Sequence, residues 1–570
     1  MHGRRSFSLF VLLSLTVISA MISPARGADD TSAKSPEPQP VAGANAPADA
    51  AALTAKIDEY IAAAWQKNGV EPAPLADDAE FLRRTYLNLA GKIPPVFEVR
   101  KFLADPSPDK RQRLVDDLLE SPAFIGHLTN VYRSTMLPEA DSDFQLQGLV
   151  PGFEAWLRER LLANVGYDKL VRELLTAEIA GSMYGRQTMT ANSGPIAFFR
   201  AKDVKPENLA AGTSRLFLGV RLECAQCHNH PFAKWKQEEF WSLAAFYAGL
   251  EGDRFGEIKD TNRHDLKIPE TETAVEATFL GGQAPTWNSE KFSRRVLADW
   301  LTSAENPYFA RAAANRVWAQ LMGIGIVMPI DDFDESNPPS HPELLDEMAH
   351  RFAAAGFDVK FLIRAITATK VYQLTSRQTH ASQENPRLFG CMSVKGLTSD
   401  QLFESLAQAT GFYDNIDFNN PRLFFGDESP RTVIRQLFSN TDASPTEAQT
   451  TILQALALMN GRFVSNQTDP VGSFTLSAVA DSPFLDTAGR IEALYLAALS
   501  RPPRDDERDR MVAYVESHTT ATTDSDEKAI GKAIRALLPD PTTNTESPQA
   551  SALGDVFWAL LNSSEFLLNH

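Results

Sequence analysis

Apolar residues return along most of this chain at steps of three and four, the spacing that stacks them on one face of an α-helix. In FEAWLRERLLANV, Phe153, Trp156, Leu157, Leu161 and Val165 share a face, while Arg158 and Glu159 lie opposite, as in a helix resting on a core. The same reading predicts helices near 108–119, 309–321, 398–410, 449–459, 490–499 and 556–567. Ser340-His341-Pro342-Glu343 reads as a capping box opening a helix that carries Leu344, Leu345, Met348 and Phe352, with Gly356 closing it. Alternation of the strand kind is scarce. Its best stretch, from about Ile258 to Leu280, is polar, Thr-rich and broken by Pro269, which predicts a short hairpin or a long loop. The expected fold is therefore mainly α, with two helical domains, long irregular connections and at most a small β hairpin region between them. No repeat at a fixed period appears, which disfavours a solenoid.

The first residues carry a different signal. Arg4 and Arg5 precede an apolar stretch from Phe7 to Ile22, and Ala25-Arg26-Gly27 offers small residues at a cleavage site before Ala28. This predicts a secretory signal peptide over 1–27 and an exported protein, periplasmic, cell-surface or secreted; the apolar run is short for a membrane span, so no stable span is expected after cleavage. Residues 28–50 are rich in Pro, Ala and Ser with almost no large apolar side chain, the composition of a disordered linker. The expected division continues with a helical domain at 51–255, a loop or short β connection at 256–285 and a second helical domain at 286–570.

Charge and cysteine count narrow the function classes. The 570 residues carry a formal charge of −18 without a long basic run, which argues against gripping nucleic-acid phosphates. Only three cysteines occur, too few for a disulfide scaffold in an oxidising compartment. Two of them, Cys224 and Cys227, stand at a three-residue step with His228 directly after. Covalent haem attachment needs this arrangement: two thiols for the two vinyl groups and an imidazole to take the proximal position on iron. Leu209, Thr213, Leu216, Phe217 and Val220 recur at helical steps before the motif, so a helix continuing through it would put both thiols on its apolar face. Phe232 and Trp235 are aromatic surface for covering a macrocycle, and Phe240, Leu243, Ala244 and Tyr247 make a second apolar wall. Two rivals remain: a zinc held by Cys224, Cys227, His228 and His230, and a redox dithiol. Cys391, alone beside Met392, reads as a small buried hydrophobe. A sixth ligand is not readable, since His127, His264, His341, His350, His380 and His518 are each explained first by a surface or capping role.

The run RLFLGVRLECAQCHNHPFAKWKQEEFWSLAAFYAGL, with LRRTYLNLAGKIPP, FLADPSPDKRQRLVDDLLESPAF and KPENLA, resembles the planctomycete cytochrome C-like domain of large exported proteins. The long segment from RRVLADWLTSAENPYFARAAANRVWAQLMG to ITATKVYQLTS, with ALALMNG and FWALLNSSEFLLNH, resembles the C-terminal domain of unknown function that accompanies it. Together they cover nearly all of the chain from about Ala51 onward. The resemblance implies a c-type cytochrome-like protein with haem on Cys224 and Cys227 and axial ligation by His228; a single such motif limits haem c to one. It leaves the activity, the oligomeric state and any catalytic residue undefined; an electron-transfer role carries the expectation of a redox partner protein.

Other clusters have simpler readings. Asp331, Asp332, Asp334 and Glu335 crowd carboxylates into one loop that suits Ca²⁺, but a turn before the capping box accounts for them better. Arg311, Asn315, Arg316 and Trp318 lie along one helix, where they are placed to line a polar cleft between domains or, as the role expected first, to make interdomain ion pairs with that acidic loop. A P-loop, a Gly-x-Ser-x-Gly elbow and a His-Glu-x-x-His helix are all lacking. Two function classes follow: an exported haem protein for electron transfer or small-ligand binding with a large docking region, or a secreted enzyme or surface scaffold, for instance for polysaccharide, whose motif is a zinc or structural site.

Overall fold

The computed structural model describes residues 46–179, 194–252, 256–287, 292–413, 429–438, 452–521 and 547–570. The signal peptide expected at 1–27 and most of the expected linker lie outside them. Residues 46–50, the end of that linker stretch, instead open the helix Ala46–Asn68, where Ala50 and Leu53 are buried. The reason is local: alanine is the strongest helix former, and Pro47 sits in the first turn, where it costs no hydrogen bond.

The chain is mainly α. Helices start where short polar side chains satisfy the free N–H groups of a first turn. Asp77 accepts from Glu80 N at 2.9 Å to open Asp78–Leu89, and Ser121 accepts from Phe124 N to open Pro122–Met136. Thr398 and Gln401 bond reciprocally at the start of Ser399–Thr410, and Gly411, at φ +72°, ends that helix. The helix expected at 490–499 runs Thr487–Leu499, and that expected at 449–459 is described as Ile452–Asn460, its first residues lying outside the described ones. The expected 556–567 helix is two, Pro548–Leu561 and Ser564–Leu567, because Ser563 caps a new start by accepting from Phe566 N.

The capping box at Ser340 does not form. Ser340 turns its backbone N–H and its hydroxyl to the Ile326 carbonyl at 2.9 and 3.2 Å, so the helix Pro342–Ala354 begins one residue later with His341 at its cap position. Gly356, at φ +68°, follows that helix as expected.

Among the described residues the strands form three two-stranded antiparallel sheets. Leu250–Gly252 pairs with Ile258–Asp260, and Asp265–Lys267 with Ala274–Glu276, in and beside the stretch where a hairpin was expected. Arg294 pins the first pair to the helical body, donating to Asp260 at 2.9 and 2.6 Å and to the Leu175 carbonyl at 2.7 Å. The third pair joins Lys395 to Asn569 and Gly396 to Leu568, bringing the end of the chain to its middle.

Buried apolar side chains on both sides of these β pairs belong to one cluster, which runs from Ala50 to Met392 and includes Leu496. A second cluster is built from helices beyond residue 397, joined by Leu87 and Ile93. Two fully buried arginines of the Asp78–Leu89 helix link distant segments. Arg83 donates to the carbonyls of Ala498 and Phe566 at 3.0 and 2.8 Å, and Arg84 to those of Tyr372 and His570 at 2.7 and 3.2 Å. Buried carbonyls gain a charged donor and the guanidinium gains acceptors, which offsets the desolvation of both.

Candidate functional site

The segment leading to Cys-x-x-Cys-His begins as the helix Pro206–Thr213 and widens into a π-type turn at Ser214–Leu218. Gly219 ends it at φ +68°, against the Phe333 ring; a Cβ there would meet ring carbons at 2.7 Å. The helix therefore does not pass through the motif. Cys224 lies in a short 3₁₀ turn, Glu223–Gln226, that buries Ala225 while Cys224 and Cys227 face solvent as free thiols. The expected apolar face is used instead by Phe217, Leu218, Val220 and Leu222, all buried.

The loop carrying the motif is fixed from behind by the helix Gln237–Ala244. Trp241 Nε1 donates to the Gln226 carbonyl at 2.9 Å, and the Gln237 amide donates to the Gln226 and Cys227 carbonyls at 3.2 and 2.9 Å. Asn229 Oδ1 accepts from Gln237 N, and His230 N donates to the Trp235 carbonyl at 2.8 Å, closing the loop. Trp235 is buried, and Phe232 is 87% exposed beside the motif. Phe240, Leu243, Ala244 and Tyr247 belong to the main core rather than to a cleft at the motif, and Tyr247 bonds Thr213 across 2.7 Å.

The two histidines of the loop differ in what they offer. The Nδ1 of His228 lies 2.7 Å from the Asn229 carbonyl oxygen, which can only accept, so Nδ1 donates and Nε2 is the nitrogen left for another partner on an exposed ring. The Nδ1 of His230 accepts from Phe232 N and Ala233 N at 3.2 and 2.8 Å, which commits its lone pair to the backbone. His230 is thus in no position to complete a zinc set with Cys224, Cys227 and His228. Among the described residues no group of three or more His, Cys, Asp or Glu is arranged to hold a metal ion.

Asp331 anchors the approach to the motif. Its carboxylate accepts from Arg215 Nε at 2.5 Å and from Arg221 Nε and Nη2 at 2.9 and 2.6 Å, one arginine on either side of Gly219. Burial opposes its ionisation, but the two guanidiniums prevail and hold the carboxyl below its usual range. Lys234 pairs with Glu335 at 3.2 Å, and Asp334 caps its own turn by accepting from Ser336 N and Oγ. The acidic loop is thus a turn with basic partners, as its Asn-Pro-Pro-Ser surroundings suggest.

Those partners are not the ones expected. Arg311 pairs with Asp346 at 2.9 Å, and Arg316 donates to the Leu216 carbonyl at 3.3 Å. Asn315 does meet the segment before the acidic loop, bonding Val327 through both backbone N–H and carbonyl at 3.0 Å. Cys391 is half-buried and packs on the core, and burial pushes its thiol up.

Of the histidines expected first in surface or capping roles, His341 does sit at a helix cap position and His127 is half-buried, while Lys395 is a titratable residue that sequence reasoning passed over. Burial pushes both histidines down to about 4, with Asp400 the main opposing charge at His127 and Glu343 at His341. Burial and the nearby Arg84 push the Lys395 amine down to about 7. The one legible signal was periodicity: His127 shares a helical face with Phe124 and Val131.

Residues 56–251 match the family model PSCyt2, a protein of unknown function (DUF1549), and residues 293–423 match PSD1, a protein of unknown function (DUF1553). Together the two matched regions span more than half of the chain. No curated protein and no solved structure matches it.

Proposed function

We propose that this is an exported protein that carries one haem c on Cys224 and Cys227, with His228 as the axial ligand, and that it serves electron transfer or small-ligand binding. The observation that carries this reading is the hydrogen bond from His228 Nδ1 to the Asn229 carbonyl, which leaves Nε2 as the nitrogen for iron on an exposed loop next to two free, exposed thiols. Cys224 and Cys227 would hold the group through two thioethers, each sulfur on one carbon of a vinyl substituent and the thiol hydrogen on its neighbour. Bound there, a haem supplies a one-electron iron centre.

The chain's own residues do the rest. Gln237 and Trp241 hold the loop backbone so that both thiols and the imidazole keep their places, and the exposed Phe232 offers an apolar contact beside them. The motif faces solvent rather than a closed cleft, an arrangement suited to exchange with a redox partner. Export is supported by the charged and apolar pattern of 1–27. Among the described residues no helix is long and apolar enough to cross a membrane.

Production with the haem-attachment machinery tests this directly. A coloured product whose c-type spectrum survives denaturation, and which is lost in Cys224→Ala and Cys227→Ala, is the expected result. A folded, colourless protein in which both thiols still react with alkylating agents would overturn it.

A further inference from the structure

A partly open cavity of about 100 Å³ lies where the two family-matched regions meet. One wall is the Pro122–Met136 helix, which brings His127, Leu128 and Tyr132; the facing wall is Phe309–Met322, which brings Ala313, Arg316, Val317 and Gln320 at helical steps. Lys395 closes it from the strand Lys395–Gly396. Most of the lining is apolar, and it contains no aspartate or glutamate.

The polar groups in it are short of partners. Tyr132 and Tyr167 are 9% and 7% exposed, their rings meet edge-on at 6.0 Å, and among the described residues neither hydroxyl has a hydrogen-bond partner. The charge of Arg316 acts on both phenols, and this guanidinium uses one donor, on the Leu216 carbonyl, and has no carboxylate partner among the described residues. The amine of Lys395 reaches only the Gln320 carbonyl and likewise has no carboxylate partner among them. Two half-buried cations without a carboxylate partner, beside phenol hydroxyls without a protein partner, leave donors and charge unmatched. A small anion with an apolar body satisfies both.

We propose that this cavity binds a small organic monocarboxylate, its charged end among Arg316, Lys395 and the hydroxyls of Tyr132 and Tyr167, its carbon end against the apolar lining. The size is set by the volume: a dry cavity of about 150 Å³ accepts benzene, so this one takes roughly four to six non-hydrogen atoms beyond any part left protruding. The apolar lining separates this ligand from an inorganic anion, which would gain nothing from Leu128 or Val317. The carboxylate is favoured over a neutral amide because it supplies the missing countercharge. The site is distinct from the cysteine motif, so the two readings stand or fall separately.

Calorimetric titration of the full chain with sodium butyrate, butyramide and phosphate tests it. Butyrate is expected to bind about tenfold or more tightly than either control. Arg316→Met and Lys395→Met are each expected to weaken butyrate about tenfold while keeping the wild-type circular dichroism. Equal binding of butyrate and butyramide, binding of phosphate alone, or no heat with butyrate on folded protein would each overturn the proposal. So would undiminished butyrate binding by both folded variants.

Discussion

Gly91 lies with its Cα against the imidazole of His127: a Cβ there would stand 2.3 Å from Nδ1, and the backbone is left-handed at φ +69°. The chain turns there after the Asp78–Leu89 helix, and the absence of a side chain is what lets the half-buried ring approach. Gly69 has nearly the same φ, +63°, with open space where its Cβ would be. Gly69→Ala is therefore expected to cost about 1 kcal/mol, the backbone strain alone, and Gly91→Ala about 2 to 4 kcal/mol, strain plus collision. Urea denaturation of the two variants separates the contributions. Equal losses would mean that His127 yields to the new methyl.

His127 and His341 set an acid dependence. Both are held at about 4 in the folded chain against an ordinary 6.5. Between those values the unfolded chain binds protons that the folded one refuses, so stability falls as pH drops from about 6.5 to 4 and this loss levels off below 4. Each ring contributes at most about 3 kcal/mol. Glu507, pulled down to about 2 by Arg501, acts in another window, its stabilisation being lost only as pH falls from 4.5 toward 2. His341 is 6% exposed, its ring centroid lies 5.4 Å from that of Phe389, and its Nε2 has no partner. His341→Phe is accordingly expected to flatten the decline above pH 4 by about half. An unchanged slope in stepped-pH denaturation would show that other groups carry it.

Arg83 bonds Ala498 across 415 positions of sequence. It is fully buried and also donates to Phe566, so one side chain ties the first cluster's Asp78–Leu89 helix to the elements at the end of the chain. Arg83→Met is expected to cost about 3 kcal/mol, because methionine fills the space but leaves those carbonyls without donors. Limited proteolysis should then release fragments from the last hundred or so residues at lower denaturant than wild type. A variant as stable and as resistant as wild type would show that water replaces the guanidinium.

That contact also marks where sequence reading stops. The helices were legible because their cause is local, apolar steps of three and four, with Gly356 after the turn it closes; the cap read at Ser340 failed because its partner, the Ile326 carbonyl, lies outside its own turn. The cysteine motif stood out because Cys224, Cys227 and His228 fall within five consecutive positions. The joining of both sides of the 258–276 strands into one core was not legible, since it depends on side chains hundreds of positions apart. The helix end at Gly219 was missed for the same reason: its close neighbour is Phe333, far along the chain. In LRRTYLNL the paired arginines look like a solvated face, and only their distant carbonyl partners explain why both are buried. The cavity is the extreme case, its lining drawn from several separate stretches of sequence.

Asp331 couples the cysteine loop to the rest of the fold. Arg215 and Arg221 both end on its carboxylate, and between them the chain makes its left-handed turn at Gly219 before entering Glu223–Gln226. Asparagine in its place keeps the shape and an acceptor but removes the charge that offsets two guanidiniums, so Asp331→Asn is expected to cost about 1 to 3 kcal/mol. The carboxyl's lowered pKa gives the sign: the stabilisation is present at neutral pH and fades as pH falls below about 3.8. Because Gln237 and Trp241 still hold the Gln226 and Cys227 carbonyls, the loosening should concentrate ahead of Cys224. Hydrogen exchange should therefore quicken over 214–223 and change little over 226–230. Uniform quickening through both stretches would mean that Asp331, rather than the Gln237–Ala244 helix, keeps the thiols and His228 in place.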